Sequence, residues 1–459
     1  MSSYSKHCST RITRLFGLPA LGCVLFLGAC DGTATSSISR SGSAPTYASN
    51  GSIQIPFGRA IQIPYILDAA DVNGDGWGDI AVGAKAANVT DFSSATEIST
   101  FLATTSADGN FDLTPLTRTH RTWSGKFFRP SRKGPVYLAM TGNGEIGLPG
   151  ENPGEPTTIW RLMPSSEGVA ATLVFRERTR GTSANLDVCD IDRDGVTEVV
   201  VNNVSADFAG GRPDLVSRIF RVSPSGSVSE TSFRRYFPSM YQGKGGQNQI
   251  NLSDFDGDGD CDALFAFETY KKAPLDTPPG NAFIRSLSYV IPNRGGAFAA
   301  DRIDIPNPPY GRNNAAHAIA STRVAGQMLF ALASSNFPSH EEGFDGFALQ
   351  MFALRGGRMV EVTNERLVGR VANDQSNQSY IRFDDIDGDG DDDLWLTRYD
   401  AKAGIVVFLQ EGGRFVATRL SVRGPSGQKA VAFLEAPGKA CMDLAVLDQR
   451  ARLYRFTCR

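Results

Sequence analysis

The chain is poor in histidine, with four among its 459 residues (7, 120, 317 and 340), so imidazole catalysis and zinc ligation have little material. Ser339-His340-Glu341-Glu342 lacks the second His of a metalloprotease helix, and no nucleophile motif accompanies it. No run of Lys or Arg is long enough to track phosphates, and the formal net charge is −3, so the balance does not indicate nucleic acid. The apolar stretch from Leu15 to Leu27 is too short and too interrupted to read as a membrane span. What the chain does have is 41% apolar and 10% aromatic residues, enough for a sizeable core, with 48 Gly and 24 Pro that suit a turn-rich β protein.

Its acids are unevenly spread. Four loops share one internal spacing: Asp71-Val-Asn73-Gly-Asp75-Gly-Trp-Gly-Asp79, Asp190-Ile-Asp192-Arg-Asp194-Gly-Val-Thr-Glu198, Asp254-Phe-Asp256-Gly-Asp258-Gly-Asp-Cys-Asp262 and Asp385-Ile-Asp387-Gly-Asp389-Gly-Asp-Asp-Asp393. These loops hold 18 of the 49 acidic residues. Oxygen side chains at positions 1, 3, 5 and 9 surround a Gly at position 6, whose conformational freedom permits the sharp turn that points them inward. A solvated Asp-Gly hairpin turn needs only its central residues, so agreement at five positions in four copies points to a hard-cation cage, expected to hold calcium at about four sites. An EF-hand requires Glu at position 12, where this chain has Val82, Val201, Phe265 and Leu396. Short apolar runs follow each loop instead (Ile80 to Val82, Val199 to Val201, Ala263 to Phe265, Leu394 to Leu396), so the loops are expected to join two strands.

The loops recur about every 64 residues, with two double-length gaps. Ligand-free copies fill them, Phe127 to Pro135 and Ala320 to Met328, and a third lies near the C-terminus, Glu435 to Asp443, where Lys439 stands at position 5 as an ammonium in place of a metal ion. Later in the units a β-rich segment crosses a Gly turn, as at Gly109, Gly226, Gly296, Gly357 and Gly413. Strand, acidic loop, strand, long connection, strand, Gly turn, strand, repeated seven times, predicts an all-β, seven-bladed propeller of four-stranded antiparallel blades. The last unit is one strand short, and Ser52 to Phe57 is expected to supply it, closing the ring; an open superhelix of blades is the alternative.

The motif Asp-x-Asp/Asn-x-Asp-Gly-x-x-Asp before a hydrophobic strand resembles the FG-GAP/VCBS repeats, whose propellers include the integrin α-chain head. The resemblance covers roughly residues 52–459 by repeat count, with the full pattern in four of seven loops. It implies that each loop joins the first two strands of a blade and binds calcium, with backbone carbonyls of Trp77, Val196, Asp260 and Asp391 added at position 7. The expected metal residues are therefore Asp71, Asn73, Asp75, Trp77 and Asp79; Asp190, Asp192, Asp194, Val196 and Glu198; Asp254, Asp256, Asp258, Asp260 and Asp262; and Asp385, Asp387, Asp389, Asp391 and Asp393.

Residues 1–29 read as an export signal, with Lys6, Arg11 and Arg14 ahead of the apolar stretch. Leu27-Gly28-Ala29-Cys30 resembles the lipobox of bacterial lipoproteins, which implies a lipid anchor at Cys30; an ordinary cleaved signal is the other reading. Residues 30–51, rich in Ser, Thr, Gly and Ala, read as a flexible tether, and 52–459 as the propeller. Export makes disulfides permissible. If Gln449-Arg450 is a two-residue turn, Cys441 and Cys458 oppose each other; Cys189 and Cys261 border consecutive loops and either pair between blades or stay free.

A saturated calcium cage leaves no open position for a substrate, so the loops read as structural. The connections between second and third strands belong to the opposite face, and most are long: Ala84 to Ser99, Thr141 to Pro156, Asn202 to Asp214, Glu268 to Ala282 and Ser334 to Gly346. Asn203, Phe208, Arg212, Tyr270, Phe337, His340, Arg398 and Tyr399 in or beside them form an expected ligand face. The sequence thus leads to a non-enzymatic, calcium-stabilised lipoprotein of the bacterial cell envelope that binds a protein partner. A glycan-binding lectin is the second reading and a polysaccharide-degrading enzyme a third.

Overall fold

Each blade is sheathed on both faces by its neighbours, which explains the apolar second strands. The structure, a computed structural model, describes residues 45–57, 61–86, 98–106, 108–116, 122, 124–131, 133–142, 156–166, 168–178, 183–203, 217–237, 247–269, 288–298, 301–306, 314–339, 343–369, 379–398, 405–418, 420 and 430–459. The export signal, Cys30 and the tether up to residue 44 lie outside them.

The chain opens with β1 (Tyr47–Gln54) and then builds blades in order. Blade 1 is β2 (Ile61–Ala70), β3 (Asp79–Ala86), β4 (Thr100–Thr105) and β5 (Phe111–Pro115); blade 2 is β6 (Ser124–Phe128), β7 (Val136–Thr141), β8 (Pro156–Ser165) and β9 (Gly168–Arg178). Blade 3 is β10 (Ser183–Cys189), β11 (Thr197–Asn203), β12 (Arg218–Val222) and β13 (Val228–Thr231), followed by the one-turn helix α1 (Phe233–Tyr236). Blade 4 is β14 (Gln247–Ser253), β15 (Asp262–Thr269), β16 (Tyr289–Ile291) and β17 (Ile303–Asp304). Blade 5 is β18 (Asn314–Val324), β19 (Gln327–Ser339), β20 (Gly343–Arg355) and β21 (Arg358–Glu361), followed by α2 (Thr363–Arg366) and β22 (Leu367–Val368). Blade 6 is β23 (Ser379–Asp384), β24 (Asp393–Arg398), β25 (Ile405–Glu411) and β26 (Arg414–Thr418), with β22 added in parallel to its outer edge. Blade 7 is β27 (Ala430–Leu434), β28 (Asp443–Leu447) and β29 (Arg452–Cys458), completed by β1.

Strand alternation distributes side chains between two interfaces. On β3, Ile80 and Val82 pack toward blade 7 while Ala81 packs toward blade 2. The same division gives one apolar cluster at each of the seven junctions between blades, including the junction of blade 7 with blade 1. That last cluster joins Ile80, Val82 and Phe101 to Leu434, Leu447 and Leu453, so the ring is closed.

The closing strand is antiparallel to β29, with Tyr47 opposite Cys458 and Gln54 opposite Arg452. It therefore begins inside the segment 30–51 that composition assigns to the tether. Its register shifts between Ser49 and Ser52, where Gly51 takes φ 115°, and Tyr47 packs against the cluster between blades 6 and 7. Cross-strand pairing and one anchored ring order a stretch whose composition offers little to bury.

Three further expectations change. In blade 5 the acidic loop has not kept its length: Ala325 (φ 48°) and Gly326 (φ 78°) form a two-residue turn between Val324 and Gln327, the geometry that follows strand twist. Ser334 to Gly346, expected as an irregular connection, instead extends β19 and β20, and the pairing is irregular between Asn336 and Ser339, around Pro338, which has no N–H to donate. The last hairpin pairs Leu444 with Phe456 rather than following a Gln449-Arg450 turn, because Ala451 (φ 58°) adds a left-handed residue to the turn. Blades 4 and 5 are also joined edge to edge, Glu268 opposite Ala315 and Thr269 opposite Asn314.

Candidate metal centres

All four full-pattern loops join the first and second strands of their blades, those of blades 1, 3, 4 and 6. Each is a chain of side-chain-to-backbone turns. Position 1 accepts from the position 6 N–H: Gly76 to Asp71 Oδ2 (2.9 Å), Gly195 to Asp190 Oδ2 (3.0 Å), Gly259 to Asp254 Oδ2 (3.0 Å) and Gly390 to Asp385 Oδ2 (3.1 Å). Position 5 accepts from position 7: Trp77 to Asp75, Val196 to Asp194, Asp260 to Asp258 and Asp391 to Asp389, at 2.8 to 3.0 Å. Position 4 is left-handed throughout, a conformation for Gly at 74, 257 and 388 that Arg193 also adopts (φ 53°).

Position 9 does more than the sequence suggests. Asp79 accepts the Val72 N–H at 3.0 Å and the Thr105 N–H at 2.7 Å, tying the loop to β4. Asp262 does the same with Phe255 and Asn293, and Asp393 with Ile386 and Gln410. Burial pushes Asp79 and Asp393 up to about 7 and Asp262 up to about 6; these N–H groups oppose the rise and neighbouring loop aspartates add to it. Among the described residues, no cation forms an ion pair with Asp79, Asp262 or Asp393.

Three loops bring three carboxylates together with oxygens within 4.8 Å of one another: Asp190, Asp192 and Asp194; Asp254, Asp256 and Asp262; Asp385, Asp387 and Asp393. Asp192 Oδ1 and Asp385 Oδ1 are buried without a hydrogen-bond partner. Oxygen-only donors, convergent geometry and orphaned buried oxygens fit a hard cation, so these clusters can hold a metal ion.

Blade 3 differs from the others. Arg221 bonds Asp194 and, through Nε at 3.0 Å, Glu198; Arg235 lies 2.9 Å from Asp192. The Tyr236 hydroxyl lies 2.9 Å from Glu198 Oε1 and 3.1 Å from Asp192 Oδ2, its one proton shared between them, while Arg193 pairs with Asp260 of the next loop. Protein cations therefore already balance this loop. Sequence spacing gave no sign of it, although the run Phe233-Arg-Arg-Tyr236 was a visible signal, now α1, which turns Tyr236 under the loop.

Residues 64–99, spanning most of β2, the first loop and β3, match the family described as FG-GAP repeat. The chain is a seven-bladed propeller whose first acidic hairpin matches the FG-GAP repeat. No curated protein matches it. Among solved structures this propeller is similar to BBS1N, described in complex with ARL6DN and soaked with mercury, at 11% identity and TM-score 0.45 over 91% of this chain and 98% of that one. It is likewise similar to the Dos1 propeller, at 9% identity and TM-score 0.45 over 90% of this chain and 95% of that one.

Four of the cysteines are joined as Cys441–Cys458 (Cα–Cα 5.9 Å) and Cys189–Cys261 (6.5 Å), the latter linking the end of β10 in blade 3 to the loop of blade 4. Of the expected ligand face, Phe208, Arg212, Tyr270, His340 and Tyr399 lie outside the described residues. Asn203 and Arg398 are at the ends of β11 and β24, and Phe337 is within β19.

Proposed function

We propose that this FG-GAP propeller is a calcium-stabilised, non-enzymatic interaction scaffold, tethered through a lipid on Cys30 to a bacterial envelope membrane, that binds a protein partner by the face opposite the acidic loops. The observation that carries the calcium reading is the set of uncompensated buried carboxylates in the loops of blades 1, 4 and 6, against the arginine-balanced loop of blade 3. Calcium accepts six to eight oxygens in flexible geometry, whereas magnesium demands a small octahedron, so calcium suits these cages. Binding is expected to be tightest at those three loops and weakest in blade 3. A closed ring with no free end blade supports a scaffold role, since its two faces are held rigid for docking.

The test has three parts. Chelation is expected to lower the melting temperature, with calcium restoring it better than magnesium; an unchanged melt overturns the metal reading. Mass spectrometry of the membrane-extracted chain is expected to find an acylated N-terminal Cys30, and an unmodified export product overturns the anchor. A crosslinked pull-down from envelope extract is expected to recover one protein stoichiometrically, whereas selective glycan-array binding in its place makes the scaffold a lectin.

A further inference from the structure

Blade 7 has turned its cation loop inside out. Its position 9 carboxylate, Asp443, is fully buried and carries two built-in cations, Lys439 Nζ at 2.6 Å and Arg455 Nη2 at 2.7 Å. One counter-charge serves two cations, so the site keeps a surplus positive charge where the metal-type loops keep a surplus negative one. Arg455 is 1% exposed, and its Nη1 has no hydrogen-bond partner; neither does the buried Thr457 Oγ1. A buried guanidinium N–H without an acceptor is costly unless something supplies one.

A cavity of about 220 Å³ lies beside these groups, between blade 7 and the loops of blade 1. Lys439, Arg455, Thr457 and Arg459 line it together with Asn50 of β1 and with Trp77 and Asp108 of blade 1. The Trp77 ring has the Arg455 guanidinium 4.6 Å and the Lys439 ammonium 5.7 Å from its centroid, which holds both cations in place. Asp108 is held at the rim by hydrogen bonds from Ser106 and from the side-chain and backbone nitrogens of Asn110. It offers acceptors for a hydroxyl, and Asn50 offers both a donor and an acceptor.

We infer that this cavity binds a small monoanionic carboxylate carried on a hydroxylated six-membered ring, a sugar acid. Three side-chain cations (Lys439, Arg455 and Arg459) against two carboxylates (Asp443 and Asp108) leave one positive charge, which matches one carboxylate rather than a dianionic phosphate. The volume exceeds the ~150 Å³ that accommodates benzene in an engineered cavity, so a ring fits beside the charged group. The carboxylate answers Lys439 and Arg455 Nη1, and the ring hydroxyls answer Thr457, Asn50 and Asp108. This site is separate from the opposite face proposed for the protein partner, and it stands whether or not that reading holds.

The test is calorimetric titration of the calcium-loaded protein with glucuronate, glucose and inorganic phosphate. Glucuronate is expected to bind one site, with glucose and phosphate each weaker by about tenfold or more, the worth of one charge-assisted hydrogen bond. Lys439→Met is expected to weaken glucuronate by about the same factor while Lys439→Arg retains it. Thr457→Val, which removes a hydroxyl without a partner in the fold, is expected to weaken glucuronate without lowering the melting temperature, and so guards against Lys439→Met acting through Asp443. Absence of glucuronate binding, equal binding of glucose, tighter binding of phosphate, or glucuronate affinity unchanged in both Lys439→Met and Thr457→Val overturns the proposal.

Discussion

Arg382 of blade 6 places Nη2 2.9 Å from Asp68 Oδ1 of blade 1, past the intervening seventh blade. The other oxygen of Asp68 accepts the Phe127 N–H of blade 2 at 2.8 Å, so one carboxylate ties three blades together. Burial alone would raise the Asp68 carboxyl; the charges of Lys126 and Arg382 and the Phe127 N–H outweigh burial and hold it below its ordinary value of 3.8. A depressed acid stabilises the fold above its unfolded value, and that contribution is lost as pH falls through the folded value. Thermal melts across the acid range are expected to show Asp68→Asn less stable at neutral pH and less sensitive to acid below about pH 4. Parallel wild-type and variant curves across that range would refute this.

Blades 3 and 6 are expected to answer differently to loss of a position 5 acid. Asp389→Asn removes one carboxylate from a loop crowded with aspartates, so on the proposed calcium reading its stability is expected to fall with calcium present and to be unchanged or higher in chelator. Asp194→Asn removes one of the two acids that pair with Arg221, leaving only Glu198, so stability falls in both conditions. Differential scanning calorimetry with calcium and with chelator separates the two patterns.

Gly388 is the tightest point of the ring's loop face. A Cβ there would lie 1.5 Å from the Ala440 carbonyl oxygen of blade 7, and its φ is +74°. Gly390 has φ +95° with nothing within 4 Å. Gly390→Ala is expected to cost about 1–2 kcal/mol of backbone strain, and Gly388→Ala clearly more because blade 7 must move. Urea unfolding of the two variants measures the difference.

The two disulfides are expected to differ in worth. Cys441–Cys458 closes a separation of 17 residues and Cys189–Cys261 one of 72. By loop entropy the first contributes about 3 kcal/mol and the second about 4 kcal/mol. Denaturant midpoints of Cys441→Ser and Cys261→Ser variants check the order.

Most of the fold was legible because its repeat is written in the chain. Asp79, Glu198, Asp262 and Asp393 each precede a run buried on both faces, and that coincidence fixes loop, strand and blade together. The parts that were not legible depend on partners far apart in sequence. Ala325-Gly326 in blade 5 looked like a loop of standard length because nine-residue spacing was imposed on a segment whose strands run straight into the turn. Residues 47–51 looked like tether because their pairing partner, β29, is some 400 residues away.

The sequence by itself determined the seven-unit repeat, the acidic loops at the first hairpin of four blades, and the placement of apolar second strands, since each follows from local spacing and side-chain period. Only the tertiary structure decided which loops remain uncompensated. Arg221 and Arg235 come from a later strand and a helix to balance blade 3, and Arg455 comes from the final strand to replace a cation in blade 7. A loop's own residues set the shape of a cage, but the charge inside it is a sum over everything the fold brings within a few ångströms.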